Sequence, residues 1–188
     1  MPPKIKISKK DILKTALEML RQNGEKTINA RNIATALDCS TQPIFSNFST
    51  MEELQTAILE TAYEHYLGFL KSEAESGKYP PYKAFGMAYI RFAKEEKELF
   101  RFLFMRDCGG KEFSPTPDFE ASVEILMSAH KISREKAGRM HMEMWVCVHG
   151  IATILATSFV ELEQSLISDM LTDVYQGLRA RLVTEVKE

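Results

Sequence analysis

The chain has 188 residues, 45% of them apolar and 27% charged. That balance suits one ordinary globular domain, or a small module joined to a larger one, and excludes disorder over most of the length. Formal net charge is −2, from 24 Lys+Arg against 26 Asp+Glu, so a uniform cationic coat is excluded as well.

The charge is distributed unevenly. Residues 1–50 hold eight bases (Lys4, Lys6, Lys9, Lys10, Lys14, Arg21, Lys26, Arg31) and four acids (Asp11, Glu18, Glu25, Asp38), while the remaining 138 residues carry a net −6. A basic head on an acidic body implies that one region meets a polyanion and the other does not. Cys39, Cys108 and Cys147 show no paired spacing, which argues against a disulfide framework or a cysteine zinc module and fits reduced thiols in a cytoplasmic protein. Residues 1–20 interleave Lys, Asp and Glu with apolar positions, unlike a signal peptide. The longest stretch free of Asp, Glu, Lys and Arg, Met144 to Val160, has 17 residues. It is short of the ~20 a spanning helix needs, so no membrane association is expected and the stretch reads as a helix buried in protein.

The helical period dominates from the start. Ile12, Leu13, Ala16, Leu17 and Leu20 mark one buried face. Ser8 and Asp11 stand in capping spacing before it, and Gly24 stops it. Asn29 can cap a second helix, Ala30 to Leu37. Asp38-Cys39-Ser40 is a tight turn, and Ser40 can cap a third helix reaching Phe48, with Pro43 in its first turn. Thr50 to Glu53 is a capping box that opens a long helix to about Ser76. Gly77 to Pro81 breaks it. Further helices are expected over about 82–94, 96–105, 119–129, 133–159 and 164–186, with residues 107–117 the longest irregular stretch. Leu166, Ile167, Met170, Leu171, Val174, Tyr175, Leu178 and Leu182 form a continuous stripe on the last of them. No segment alternates with a period of two, so the fold class is all-α: a three-helix head over residues 1–50 and a helical body over 51–188.

Residues 29–48 have the layout of a helix-turn-helix, whose second helix enters the DNA major groove. Ile33, Ala34 and Leu37 supply the small apolar packing between the two helices. Thr41 and Gln42, with Asn47, are the expected base contacts. Asn29, Arg31, Ser46 and the N-terminal lysines, Lys10 among them, are the expected phosphate contacts.

The stretch from Ile12 to Leu54 resembles the DNA-binding domain of TetR-family transcriptional regulators. The residues that carry the resemblance are Gly24, Asn29-Ala30-Arg31-Asn32-Ile33-Ala34, Asp38-Cys39-Ser40, Ile44-Phe45-Ser46-Asn47-Phe48 and Met51-Glu52-Glu53-Leu54, about 43 residues without a gap. Two positions depart from that pattern. Phe45 stands where the family usually has a phosphate-bonding tyrosine, and Met51 where it usually has a phosphate-contacting lysine. Both changes should weaken sequence-independent binding, with the N-terminal lysines compensating.

Trp145 to Gly150 is similar to a Trp-x-x-x-His-Gly element of one subgroup of the family's C-terminal domains. The resemblance implies a homodimer paired through the last two long helices in a four-helix bundle. It also implies a palindromic double-stranded operator, and a small apolar or amphipathic effector that releases the protein from DNA. A helix-turn-helix protein without an effector, acting structurally or through a protein partner, is the alternative.

Candidate effector contacts are Phe85, Tyr89, Phe104, Met127, His141, Trp145 and His149. His141, Trp145 and His149 repeat every four residues and suit the rim of a pocket, although core and interface packing with each imidazole bonded once is the favoured reading. The aromatic and methionine residues fit ordinary core equally well. Positions 141 and 149 lie ~12 Å apart along a helix, so no metal site is expected there. The acids Glu73, Glu75, Glu95, Glu96 and Glu98 read as solvated helix faces. No phosphate-cradling loop or nucleophile elbow is present, so neither enzymatic activity nor a cofactor is expected.

Overall fold

A computed structural model describes residues 7–107 and 116–183. Among the described residues the chain is all-helical: nine α-helices, one short 3-10 turn and no strand. The helices are α1 (Lys9–Asn23), α2 (Ala30–Ala36), α3 (Gln42–Asn47), α4 (Met51–Glu75), α5 (Pro81–Glu95), α6 (Lys97–Phe104), α7 (Pro117–His130), α8 (Arg134–Ala156) and α9 (Gln164–Leu182). They form two compact units. One contains residues up to Leu67 together with Glu96–Arg106, and the other contains Gly68–Glu95 and the chain from Asp107 onward.

In the first unit the expected caps are present. Ser8 Oγ accepts from the Asp11 amide and the Asp11 carboxylate accepts from the Ser8 amide, which satisfies two donors that α1 would otherwise leave open. Gly24 ends α1 at φ 75° and returns its N–H to the Leu20 carbonyl, a conformation open to glycine at little cost. Asn29 Oδ1 accepts from the Asn32 amide at 2.9 Å and starts α2. Asp38 turns the chain in the left-handed region at φ 50°, and the Cys39 amide reaches back to the Ala34 carbonyl. α3 starts one residue later than the sequence implied. Thr41, not Ser40, holds the cap position, its backbone is already helical, and it makes no side-chain cap bond. Thr50 Oγ1 accepts from the Glu53 amide, while the Glu53 carboxylate turns back to the Ser49 amide. The core is Ile12, Ala16, Leu20, Ile33, Ile44, Phe48, Leu54, Ile58 and Tyr66, closed by Leu99 and Phe100 of α6.

In the second unit α8 is central and packs against α5, α7 and α9. Phe119, Val123, Leu126, Ala137, Met140 and Leu182 form one buried cluster. Gly86 lets α5 approach closely: a Cβ there would lie 3.3 Å from Val148 and 3.5 Å from Leu171. The stretch Met144–Val160 is not a buried helix throughout. α8 ends at Ala156, Ser158 adopts φ 55°, and Val146 and Phe159 are 60% and 84% exposed. The expected end of the last helix at 184–186 and most of the irregular stretch at 107–117 lie outside the described residues.

Two acids expected on solvated faces are buried instead. Glu73 pairs with Arg91 at 3.0 Å, and Glu96 pairs with Arg21 at 2.6 Å. Their helices turn these carboxylates inward because a cation on a neighbouring segment replaces the lost water.

Candidate nucleic-acid interface and polar core

The residues read as DNA contacts all belong to the first unit, on α2, the turn, α3 and the first turn of α1. Internal hydrogen bonds divide them. Asn29 is committed to its cap. Ser46 Oγ donates to the Gln42 carbonyl at 2.9 Å. Asn47 Nδ2 donates to the Pro43 carbonyl at 2.8 Å and lies 3.4 Å from the Ile7 carbonyl. A base reader needs its polar atoms facing outward, so Asn47 is poorly suited to that role. Gln42 is exposed at the first position of α3, and Thr41 beside it is half-buried. Phe45 lies one turn further on, its ring 48% exposed, while its neighbours Ile44 and Phe48 fill the core. Arg31 and Lys10 are exposed, as is Lys26 on the 3-10 turn. Lys9 is engaged otherwise, with its ammonium 4.8 Å from the centre of the Phe48 ring. Lys4 and Lys6 lie outside the described residues.

One partly buried ionic cluster, centred on Glu96, fixes this unit internally. Arg21 on α1 holds Glu96, at the cap of α6, through both guanidinium edges, Nε to Oε2 at 2.8 Å and Nη2 to Oε1 at 2.6 Å. His65 Nε2 lies 3.3 Å from the same carboxylate. Burial pushes the Glu96 carboxyl upward, but the hydrogen bonds and charges of Arg21 and His65 outweigh it and leave the group below the usual carboxylate range. A bidentate arginine pair fixes orientation as well as distance, so α1 and α6 are held in one register.

Six of the seven candidate effector contacts lie in the second unit. The seventh, Phe104, is on α6 in the first, edge-on to Tyr66 at 5.1 Å. Tyr82 Oη is 2.9 Å from His141 Nδ1, and Tyr89 Oη is 2.8 Å from His149 Nδ1. His130 Nε2 and Tyr175 Oη form a third pair at 2.7 Å. The His141 ring lies 4.4 Å from Phe119, and Trp145 stacks on His149 at 5.0 Å. Phe85 and Met127 are half-buried.

Burial lowers His141 to about 4 and lowers His149 too, and it raises the phenols of Tyr82, Tyr89 and Tyr175. Both imidazoles are therefore neutral near pH 7. Each neutral ring shares one proton with its tyrosine, His141 Nδ1 with Tyr82 Oη and His149 Nδ1 with Tyr89 Oη. Such groups can bond an uncharged polar ligand; they hold no charge with which to bind an anion. Among the described residues no group of three or more His, Cys, Asp or Glu side chains is placed to hold a metal ion.

Several functional-looking contacts are absent from the sequence reading. The Tyr–His pairs carried a signal in their spacing: Tyr82 and Tyr89 are seven apart, His141 and His149 eight apart, and both pairs ascend together. That is what two helices running in the same direction require. Lys83 carried no such signal, yet its ammonium donates to the Ser168 carbonyl, to Ser168 Oγ and to Thr172 Oγ1, which ties α5 to α9.

The geometry defines an all-helical protein with a polar, partly aromatic face on one unit and a satisfied Tyr–His core in the other. No protein-family model matches the chain, and no curated protein matches it. No helix among the described residues is long and apolar enough to cross a membrane.

Proposed function

We propose that the chain is a DNA-binding transcriptional regulator of the TetR type, a cytoplasmic homodimer that represses from a palindromic operator. The observation that carries this reading is the face of α3. Gln42 and Phe45 project outward from a six-residue helix whose other side is buried by Ile44 and Phe48. α2 and the Asp38 turn precede that helix, and Lys10, Lys26 and Arg31 are exposed on the same unit. A helix-turn-helix needs these components, an anchored second helix with outward readers and cations available to phosphates. Pairing through α8 and α9 is supported by Val146, Phe159, Val160, Leu166 and Met170, which are large apolar side chains left exposed on or beside those helices.

Release by a small-molecule effector is the first form of the proposal. The polar core favours the second form, a regulator without an effector. The side chains that would meet a ligand, Tyr82, Tyr89, His141 and His149, already bond one another through Oη and Nδ1.

Selection of bound duplexes from a random library tests the reading. Enrichment of a palindrome supports a dimeric, sequence-reading regulator. Binding without an enriched motif favours a structural role, and the absence of any binding across salt concentrations overturns the proposal.

A further inference from the structure

We propose that Phe45 is a specificity-determining residue that reads thymine: its exposed ring packs on the C5-methyl group of a thymine in the major groove, beside an adenine read by Gln42. This rests on the DNA-binding reading of the first unit. The argument starts from what the ring is not used for. Ile44 on α3 and Phe48 at its C-cap are 0% and 1% exposed and supply the apolar packing, while Phe45 is 48% exposed. The cation that engages an aromatic ring here, Lys9, lies over Phe48 rather than Phe45.

Nor can Phe45 bond a phosphate, because it has no hydroxyl. A half-exposed phenyl ring facing a duplex therefore gains most from an apolar partner. The largest apolar group on the major-groove edge of the bases is the thymine methyl.

The neighbourhood agrees. Ser46 and Asn47 spend their polar groups on backbone carbonyls. Gln42 keeps its amide available on the exposed side of α3, and a glutamine amide pairs with adenine N6 and N7. Gln42 and Phe45 are three residues apart on one helical face, with Cβ atoms about 5–6 Å apart. At about 3.4 Å per base step, the two readers fall within one or two steps of each other. The enriched motif should therefore hold an adenine and a thymine that close together in each half-site.

The test replaces each thymine of the enriched duplex, one at a time, by deoxyuridine, which removes the methyl and leaves the hydrogen-bonding edge intact. Affinities are read by fluorescence anisotropy for the native chain, Phe45→Ala and Phe45→Leu, with thermal melts showing that the variants fold. One thymine per half-site should weaken the native chain about four-fold when demethylated, the effect of one buried methyl. Phe45→Ala should bind more weakly and bind the thymine and deoxyuridine duplexes equally, while Phe45→Leu should retain part of the discrimination. A specific duplex indifferent to every substitution overturns the inference alone, as does a Phe45→Ala chain with undiminished sensitivity to deoxyuridine. Failure to bind any duplex overturns the DNA-binding reading, and this inference with it.

Discussion

His141 makes the second unit sensitive to acid, and the size of the effect follows from its surroundings. Its ring is enclosed by Phe119 and Tyr82, and burial lowers its pKa from an ordinary 6.5 to about 4, a shift that the nearby Asp118 charge opposes but does not reverse. The sign is fixed by linkage. Below pH 6.5 the unfolded chain takes up a proton that the native state refuses until about pH 4, so stability is complete above that window and is lost as pH falls through it. Between pH 8 and pH 5 the loss from this one group comes to about 2 kcal/mol.

The assay is urea unfolding followed by the fluorescence of Trp145, the only tryptophan in the chain and one helical turn from His141. A single protein concentration keeps any self-association fixed. His141→Gln should remove about 2 kcal/mol of the pH dependence, whatever it costs at pH 8. Tyr82→Phe should lower stability at both pH values by roughly 1–3 kcal/mol, because it strands a buried acceptor, yet keep the pH dependence, because burial is the larger cause. His149, whose pKa is lowered in the same direction, contributes to the remaining slope in both variants. If native chain and His141→Gln lost stability in parallel from pH 8 to pH 5, the argument from burial would be refuted.

Three further outcomes are expected. Arg21→Ala deprives the Glu96 carboxylate of both guanidinium bonds and leaves only His65 beside it. With Arg21 partly exposed, the loss should be about 1–3 kcal/mol by thermal melting. Because the Glu96 pKa is lowered in the folded state, its contribution is present above its ordinary range and fades as pH falls, so the variant should show a flatter acid limb; an unchanged limb counts against the assignment. Lys10→Ala should weaken all duplexes alike and reduce the salt slope by about 1, whereas Gln42→Ala should relax preference at one base pair of each half-site. A shifted motif for Lys10→Ala, or an unchanged one for Gln42→Ala, refutes the placement of α3 in the groove. If the chain pairs through α9 as proposed, Leu166→Glu combined with Met170→Glu should yield a folded monomer by sedimentation, both side chains being exposed there; an unaltered sedimentation coefficient would refute pairing through this face.

Much of the helical layout was legible because it depends on neighbours in sequence. Ser8 with Asp11, Gly24 and Asn29 act within one turn of their own positions, and each caps or stops the helix that its spacing implied. Ser40 misled because the turn reverses at Asp38 in the left-handed region, and the next two residues complete the reversal before a helix can begin. The inward turn of Glu73 and Glu96 was not legible at all. Each sits in a run of charged residues that reads as solvated, and each is decided by an arginine remote in sequence, Arg91 or Arg21.

The candidate sites divide along the same line. The helical period reports exposure, and Gln42, Arg31 and Lys10 are exposed as that pattern implies. It does not report what a polar atom is already bonded to. Asn47 stands on the same short helix as Gln42 and has an amide of the same kind, but its shorter side chain reaches the Pro43 carbonyl of its own helix. An exposed amide and one bonded within its own helix thus differ by one methylene of length and about one and a half turns of position. His141, Trp145 and His149 make the corresponding case in the second unit. Their fourfold spacing marked a common face, and only the tyrosines that α5 brings to the two imidazoles make that face a closed polar seam rather than an open rim. An effector entering there would have to replace a tyrosine–histidine hydrogen bond with one of its own. That condition favours a neutral ligand carrying both a donor and an acceptor over a purely apolar one.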